Sequence, residues 1–253
     1  MLTRRETILG GALTLLSCRC ACAQAERPHG EGCVLEPAQA EAFLATATAP
    51  QAFDHGNEKL ISSTGDRDFD YALAQTLSRI TDIYGVLPGF SFYDDYDSPN
   101  AYATQATRLQ RADGTVLFGK RYFMRAMEVK ESPEVGVIAT CAHEFGHIVQ
   151  FKHNLHKRLT QGRSDVKLAE LNADFFAGYF AGARKLEKPD FPAAVFAVNR
   201  YERGEYHTNK NHHGTPEERS AAIVRGFETS YKERRSFADA IGISVDYVER
   251  LPA

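Results

Sequence analysis

The chain has 253 residues, 43% hydrophobic and 25% charged, enough for one moderately large domain with a real core. Its 30 Lys and Arg are outnumbered by 33 Asp and Glu, so the charge balance gives no nucleic-acid footprint. Beyond the N-terminus no apolar run is long enough to span a bilayer, and there is no repeat or low-complexity tract.

Residues 1–25, MLTRRETILGGALTLLSCRCACAQA, read as an export signal: Arg4 and Arg5, a short apolar stretch from Ile8 to Leu16, then small residues suited to cleavage. TRRETIL looks like the twin-arginine type, which implies a periplasmic protein. An ordinary secretory signal is one alternative, and LLSC offers another, a lipid anchor through Cys18. Export leaves Cys33 and Cys141 in the mature chain, either paired in an oxidising compartment or with Cys141 as a small buried apolar residue.

Residues 26–58 form an expected loosely structured lead-in with a short helix near 37–48, and residues 59–253 the domain itself. DFDYALAQTLSRITDIYG (68–85) carries apolar residues at helical spacing and stops at Gly85. The period then changes, and GFSFYDD (89–95), NAYATQATRLQ (100–110) and GTVLFG (114–119) predict three short strands, the last two joined by a turn at ADG. A helix is expected over 120–129. The next opens with Ser132 as cap and Pro133 at its first position, and runs through Phe151. Further helices are expected over about 164–186 and 190–202. A polar loop, GEYHTNKNHHG, follows; Thr215, Pro216 and Glu218 then form a capping box that starts another helix. Strands early and helices late predict an α+β fold. The acidic run YDDYD (93–97) reads as a surface turn, since it lacks the oxygen ligands of a full calcium loop.

Within the central helix, TCAHEFGHIVQ (140–150) places His143 and His147 four apart. On a helix they lie ~40° apart and ~6 Å along the axis, so both imidazoles can reach one ion. Val137, Ile138, Cys141, Phe145, Ile148 and Val149 fall on the opposite, core-facing stripe. Glu144 stands beside the ion, where it can hold a water between carboxylate and metal. Two histidines make an incomplete catalytic zinc site, which needs a third protein ligand.

His153 occupies the place of the last metzincin histidine, but Gln150 stands where that pattern requires glycine, and no methionine follows the motif. His153 is therefore expected to be exposed near the helix end. The stronger candidate is LAELNADFFAGYFAG (168–182), a helix apolar enough to be buried. It carries Glu170 and Asp174 on one face. Buried carboxylates need partners, and the economical assignment makes Glu170 the third ligand and Asp174 the acceptor for a ligand histidine.

HEFGH followed by ELNAD in a second helix resembles the gluzincin metallopeptidases, in particular the bacterial neutral zinc metallopeptidases and the soluble HtpX-like peptidases. SPNAYA (98–103) and HHGTPEERSAAIVRGF (212–227) resemble, less specifically, the strand before the active helix and the late His…Arg segment of that group. The resemblance covers about residues 98–228. It implies a zincin-like fold and Zn2+ held by His143, His147 and Glu170, with Glu144 as general base. It further implies that a peptide or unfolded protein substrate adds to a strand edge at Asn100, Ala101 and Tyr102. His213, with His212 as fallback, would face the oxyanion, and Arg219 would orient that segment. The expected function is an exported zinc endopeptidase. The alternatives are a catalytically silent zinc-stabilised binding module and an amidase acting on non-peptide substrates. Oligomeric state stays open.

Overall fold

The computed structural model describes residues 34–35, 59–96, 99–109, 111–206 and 212–251. The export signal with Cys18, the helix expected near 37–48, and Cys33 lie outside the described residues.

A small mixed sheet and a larger set of helices make up the α+β domain. In chain order the elements are β1 (Val34–Leu35), β2 (Leu60–Ile61), α1 (Arg67–Tyr84), β3 (Gly89–Tyr93), β4 (Ala101–Thr104), β5 (Thr115–Gly119), α2 (Lys120–Met127), α3 (Pro133–Lys152), α4 (Leu155–Thr160), α5 (Lys167–Glu187), α6 (Ala194–Tyr201), α7 (Pro216–Tyr231) and α8 (Phe237–Glu249). The strands lie in the order β1-β4-β5-β3-β2. β4 and β5 pair antiparallel, β3 and β5 parallel, and β1 runs parallel along the outside of β4.

Local chemistry sets the boundaries. Asp66 accepts the backbone N–H groups of Asp68 and Phe69 at the start of α1, and Gly85 ends it in the left-handed conformation. Thr215 and Glu218 form the capping box that the sequence of α7 predicts. β4 is shorter than NAYATQATRLQ suggests, because Thr115 Oγ1 accepts from Arg108 N and donates to the Ala106 carbonyl, bending the chain after Thr104.

Two expectations need correcting. Ser132 does not cap α3 with its side chain: it sits at φ 49°, and its carbonyl instead accepts from Val135 and Gly136. The run YDDYD is not simply a surface turn. Asp95 is buried and accepts the backbone N–H groups of Asn100, Arg121 and Tyr122, so it caps α2 from a distance.

The core sits between the sheet and the helices, with α3 and α5 at its centre. Residues 139–150 of α3 are buried on every side, so the sequence's single apolar stripe understates its position. α5 is buried from Lys167 to Gly182; Phe180 packs beside Phe196 of α6, and Phe175 and Phe176 meet Tyr247 and Phe237 of α8. At Gly178 a Cβ would collide with the Ile223 carbonyl, so α5 and α7 can touch backbone to backbone only because this residue has no side chain. That contact sets Arg219, on α7, against the carboxylates of α5. Tyr84 donates to the Phe176 carbonyl at 2.6 Å and stacks on Phe237, tying α1 and α8 to the same core. Cys141 is a free thiol, fully buried in α3. Among the described residues no helix is long and apolar enough to cross a membrane.

Candidate metal centre

α3 and α5 approach closely where Gly146 faces Ala173: a Cβ there would lie 3.1 Å from both the Ala173 Cα and its carbonyl oxygen. This contact brings His143 and His147 of α3 up to Glu170 of α5. His143 Nε2 lies 3.3 Å from Glu170 Oε2, and His147 Nε2 lies 3.5 Å from Glu170 Oε1. One ligand atom from each of the three residues falls within 4.8 Å of the others, and all three side chains are at most 1% exposed.

The far side of each imidazole is already engaged. His143 Nδ1 meets Asp174 Oδ1 at 2.7 Å, and His147 Nδ1 meets Gln150 Oε1 at 3.0 Å. The Gln150 amide cannot turn round, because its nitrogen donates to the Ala169 carbonyl and to Asn172 Oδ1. Both Nδ1 atoms therefore carry the proton in the neutral rings, and both Nε2 lone pairs point toward Glu170. Neither Nε2 has a hydrogen-bond partner. Two buried lone pairs converging beside a carboxylate are costly alone and are satisfied by a cation. This group could bind a metal ion.

The surrounding charges are arranged to keep that geometry. Burial alone would raise Asp174, but Arg219 and then His143 outweigh it and hold this carboxyl well below the usual range. Arg219 donates to both Asp174 oxygens, at 2.7 and 3.1 Å. Glu170 is likewise held low against its burial by His147, His213 and His143. Burial pushes His147 down to about 3, which favours the neutral imidazole that a metal requires. Glu144 is pushed up to about 7, chiefly by burial.

Glu144 opens onto a cavity of about 160 Å³ lined by Asn100, Ala101, Tyr122, Glu144, Arg200, Arg203, His213 and Arg219. Its Oε2 has no hydrogen-bond partner. His213 reaches the cavity from the segment before α7, where Gly214 takes φ 108°. Its Nδ1 and its backbone N–H both bond Glu205 Oε1, at 2.7 and 3.0 Å, so the ring is fixed with Nε2 as its other nitrogen. His212 is buried and does not line the cavity.

No family model, no curated protein and no solved structure matches this chain.

The structure thus brings His143, Glu144, His147, Glu170, Asp174, His213, Asn100 and Ala101 into one neighbourhood, from four separate stretches of chain. Tyr102 departs from the group: its side chain packs with Tyr93 and Leu117 on the other side of the sheet. β4 is also not a bare edge, since Val34 and Leu35 pair with Ala103 and Thr104. His153 is exposed at the end of α3, as expected. The residues that sequence reasoning missed are those that steer others: Gln150 on His147, Glu205 on His213, and Arg200 and Arg203 on the cavity wall. Only Gln150 carried a signal, its three-residue spacing from His147 on the same helix.

Proposed function

We propose that the chain is an exported zinc-dependent endopeptidase of the gluzincin type, with a zincin-like fold. The observation that carries this reading is the pair of partnerless Nε2 atoms of His143 and His147 converging on Glu170, with Glu144 opening onto a cavity beside them. Two imidazole nitrogens and one carboxylate oxygen are a donor set suited to a catalytic zinc, which keeps one position open. The export part rests on the sequence of residues 1–25.

When bound, zinc supplies Lewis acidity that lowers the pKa of a water and polarises a carbonyl. The chain's own residues do the rest. Glu144, placed beside the donor set, takes a proton from the attacking water and passes it to the leaving amine. An ordinary pKa near 4.5 would make it a weak base; burial moves it toward 7, close to a working pH. His213, held by Glu205 on the cavity wall, faces the oxyanion as it develops. Asp174 and Gln150 hold the two imidazoles so that Nε2, not Nδ1, faces the donor set. The backbone of Asn100 is already bonded to Asp95, Gly119 and Tyr93, which leaves Ala101, on the cavity wall, to meet the substrate main chain.

The test is digestion of a mixed peptide library, read by mass spectrometry, by the zinc-loaded chain and by Glu144→Gln with zinc measured in the same samples. The variant is expected to keep its zinc and to lose about 10²- to 10⁴-fold in turnover. Full turnover by the variant would remove Glu144 from the mechanism. Cleavage by neither protein, with zinc in both, would favour the silent binding module.

A further inference from the structure

The cavity beside Glu144 holds more positive charge than its neighbours use. Among the described residues three guanidinium groups line it, those of Arg200, Arg203 and Arg219, against one carboxylate, that of Glu144. Arg219 is committed to Asp174 by two hydrogen bonds. The other two are not committed in that way.

Arg200, on α6, is 2% exposed. One of its terminal nitrogens donates to Thr140 Oγ1 at 2.9 Å, but its Nε has no hydrogen-bond partner. The nearest carboxylate oxygen, Asp174 Oδ1, is 3.8 Å away and already engaged by His143 and Arg219. A buried guanidinium on a cavity wall that has one hydrogen bond and one long, shared ion pair is incompletely matched, and a carboxylate entering the cavity would complete it. Arg203, just past the end of α6, is half-buried and lies over the Tyr122 ring at 4.7 Å. Among the described residues no carboxylate pairs with it. That stacking fixes the plane of the group and leaves its edge available. A fixed guanidinium edge matches a carboxylate with two parallel hydrogen bonds, which an ammonium group cannot do.

Arg203 also borders a second hollow of about 460 Å³, walled by Val129, Pro133, Val195 and Val198. Arg203 thus stands in the wall of both hollows.

We propose that Arg200 and Arg203 form a subsite for a carboxylate of the substrate, next to the bond on which Glu144 acts. The inference rests on the peptidase reading and adds the substrate class: peptides carrying a carboxylate close to the cleaved bond. That carboxylate comes either from the chain terminus or from an aspartate or glutamate side chain, and the chemistry at the two arginines is the same.

The test is binding of short peptides to the full-length Glu144→Gln protein, measured by calorimetry, so that turnover plays no part. Peptides are compared in pairs: one sequence with a free C-terminal carboxylate or an amide, and amidated peptides with Glu or Gln at each position. In at least one pair the acid is expected to bind about ten- to a hundred-fold more tightly. The pair that shows the preference tells terminus from side chain. Arg203→Gln is expected to abolish the preference. Arg200→Lys, which keeps the charge and loses the planar donors, is expected to reduce it. Equal binding of acid and amide in every pair would overturn this inference and leave the peptidase reading standing. A preference that persists in Arg203→Gln would overturn it too, by assigning the carboxylate to another group. Binding of no peptide at all would count against both.

Discussion

Replacing Asp174 by asparagine removes one buried charge on which three neighbours depend. Its two oxygens accept from Arg219 at 2.7 and 3.1 Å, from His143 at 2.7 Å, and face Arg200 Nε at 3.8 Å. Arg219 and Arg200 are 3% and 2% exposed, so bulk water replaces little of the lost charge. The asparagine amide has only one oxygen. Whichever way it turns, its NH2 group points at another donor, either the His143 Nδ1–H or the Arg219 fork. One charge-assisted hydrogen bond is lost outright, and Arg219 keeps only a longer contact, 3.9 Å, with the Glu170 carboxylate among the described ion pairs of this site. Breaking a buried ion pair by removing one partner typically costs about 3–5 kcal/mol. For a domain of this size that corresponds to a fall in Tm of roughly 6–20 °C. Urea unfolding of the metal-free protein, followed by circular dichroism, measures the cost. Adding Arg219→Met to Asp174→Asn should recover part of it, because the uncompensated cation is then gone. A loss below about 1 kcal/mol for Asp174→Asn, or a double variant that loses the full sum of the two single changes, would refute the argument.

Gln150→Leu removes the acceptor that fixes His147 and should lower metal affinity about 10- to 100-fold with the fold retained; competition with a chelator measures this. Acid stability follows from the same residues. Glu144, raised to about 7, binds an extra proton in the folded state between its ordinary 4.5 and 7, whereas His147, lowered to about 3, binds one fewer below its ordinary 6.5. These largely cancel above pH 4.5. Below it Glu144 drops out, while Glu170 and Asp174, depressed from 4.5 and 3.8, contribute stability that is lost as the pH falls. The metal-free protein should therefore lose stability steeply below about pH 4.5, with Glu170, Asp174 and His147 each adding up to about 1.4 kcal/mol per pH unit. Urea midpoints measured across that range check the sign, and Asp174→Asn should flatten the slope by about one proton.

The metal-centre residues were legible because their spacing is a property of single helices. Histidines four apart in α3, and Glu170 four before Asp174 in α5, share a face whatever the rest of the chain does. That Glu170 meets the histidines was not a matter of spacing. It depends on the close approach at Gly146, and the apolar character of α5 only said that its carboxylates would need partners. The helix starts at Asp66 and Thr215 follow from local capping chemistry, while the role of Asp95 does not, because it caps a helix 26 residues away. α8 carried its own signal, a Ser236 cap with Ala240, Val245 and Val248 on its inner face, beyond the stretch that the motifs illuminate. Arg200 and Arg203 had no signature, since an arginine in a helical stretch reads as a solvated side chain until the fold turns it inward.

The most direct measurement is equilibrium dialysis of the full chain and of Glu170→Gln against zinc, followed by metal analysis, with circular dichroism to confirm that both are folded. One zinc per chain in the parent, with affinity lost or greatly reduced in the variant, is the predicted result. A folded parent that takes up no zinc, or a variant that binds it as tightly as the parent, would contradict the assignment of His143, His147 and Glu170 as its ligands.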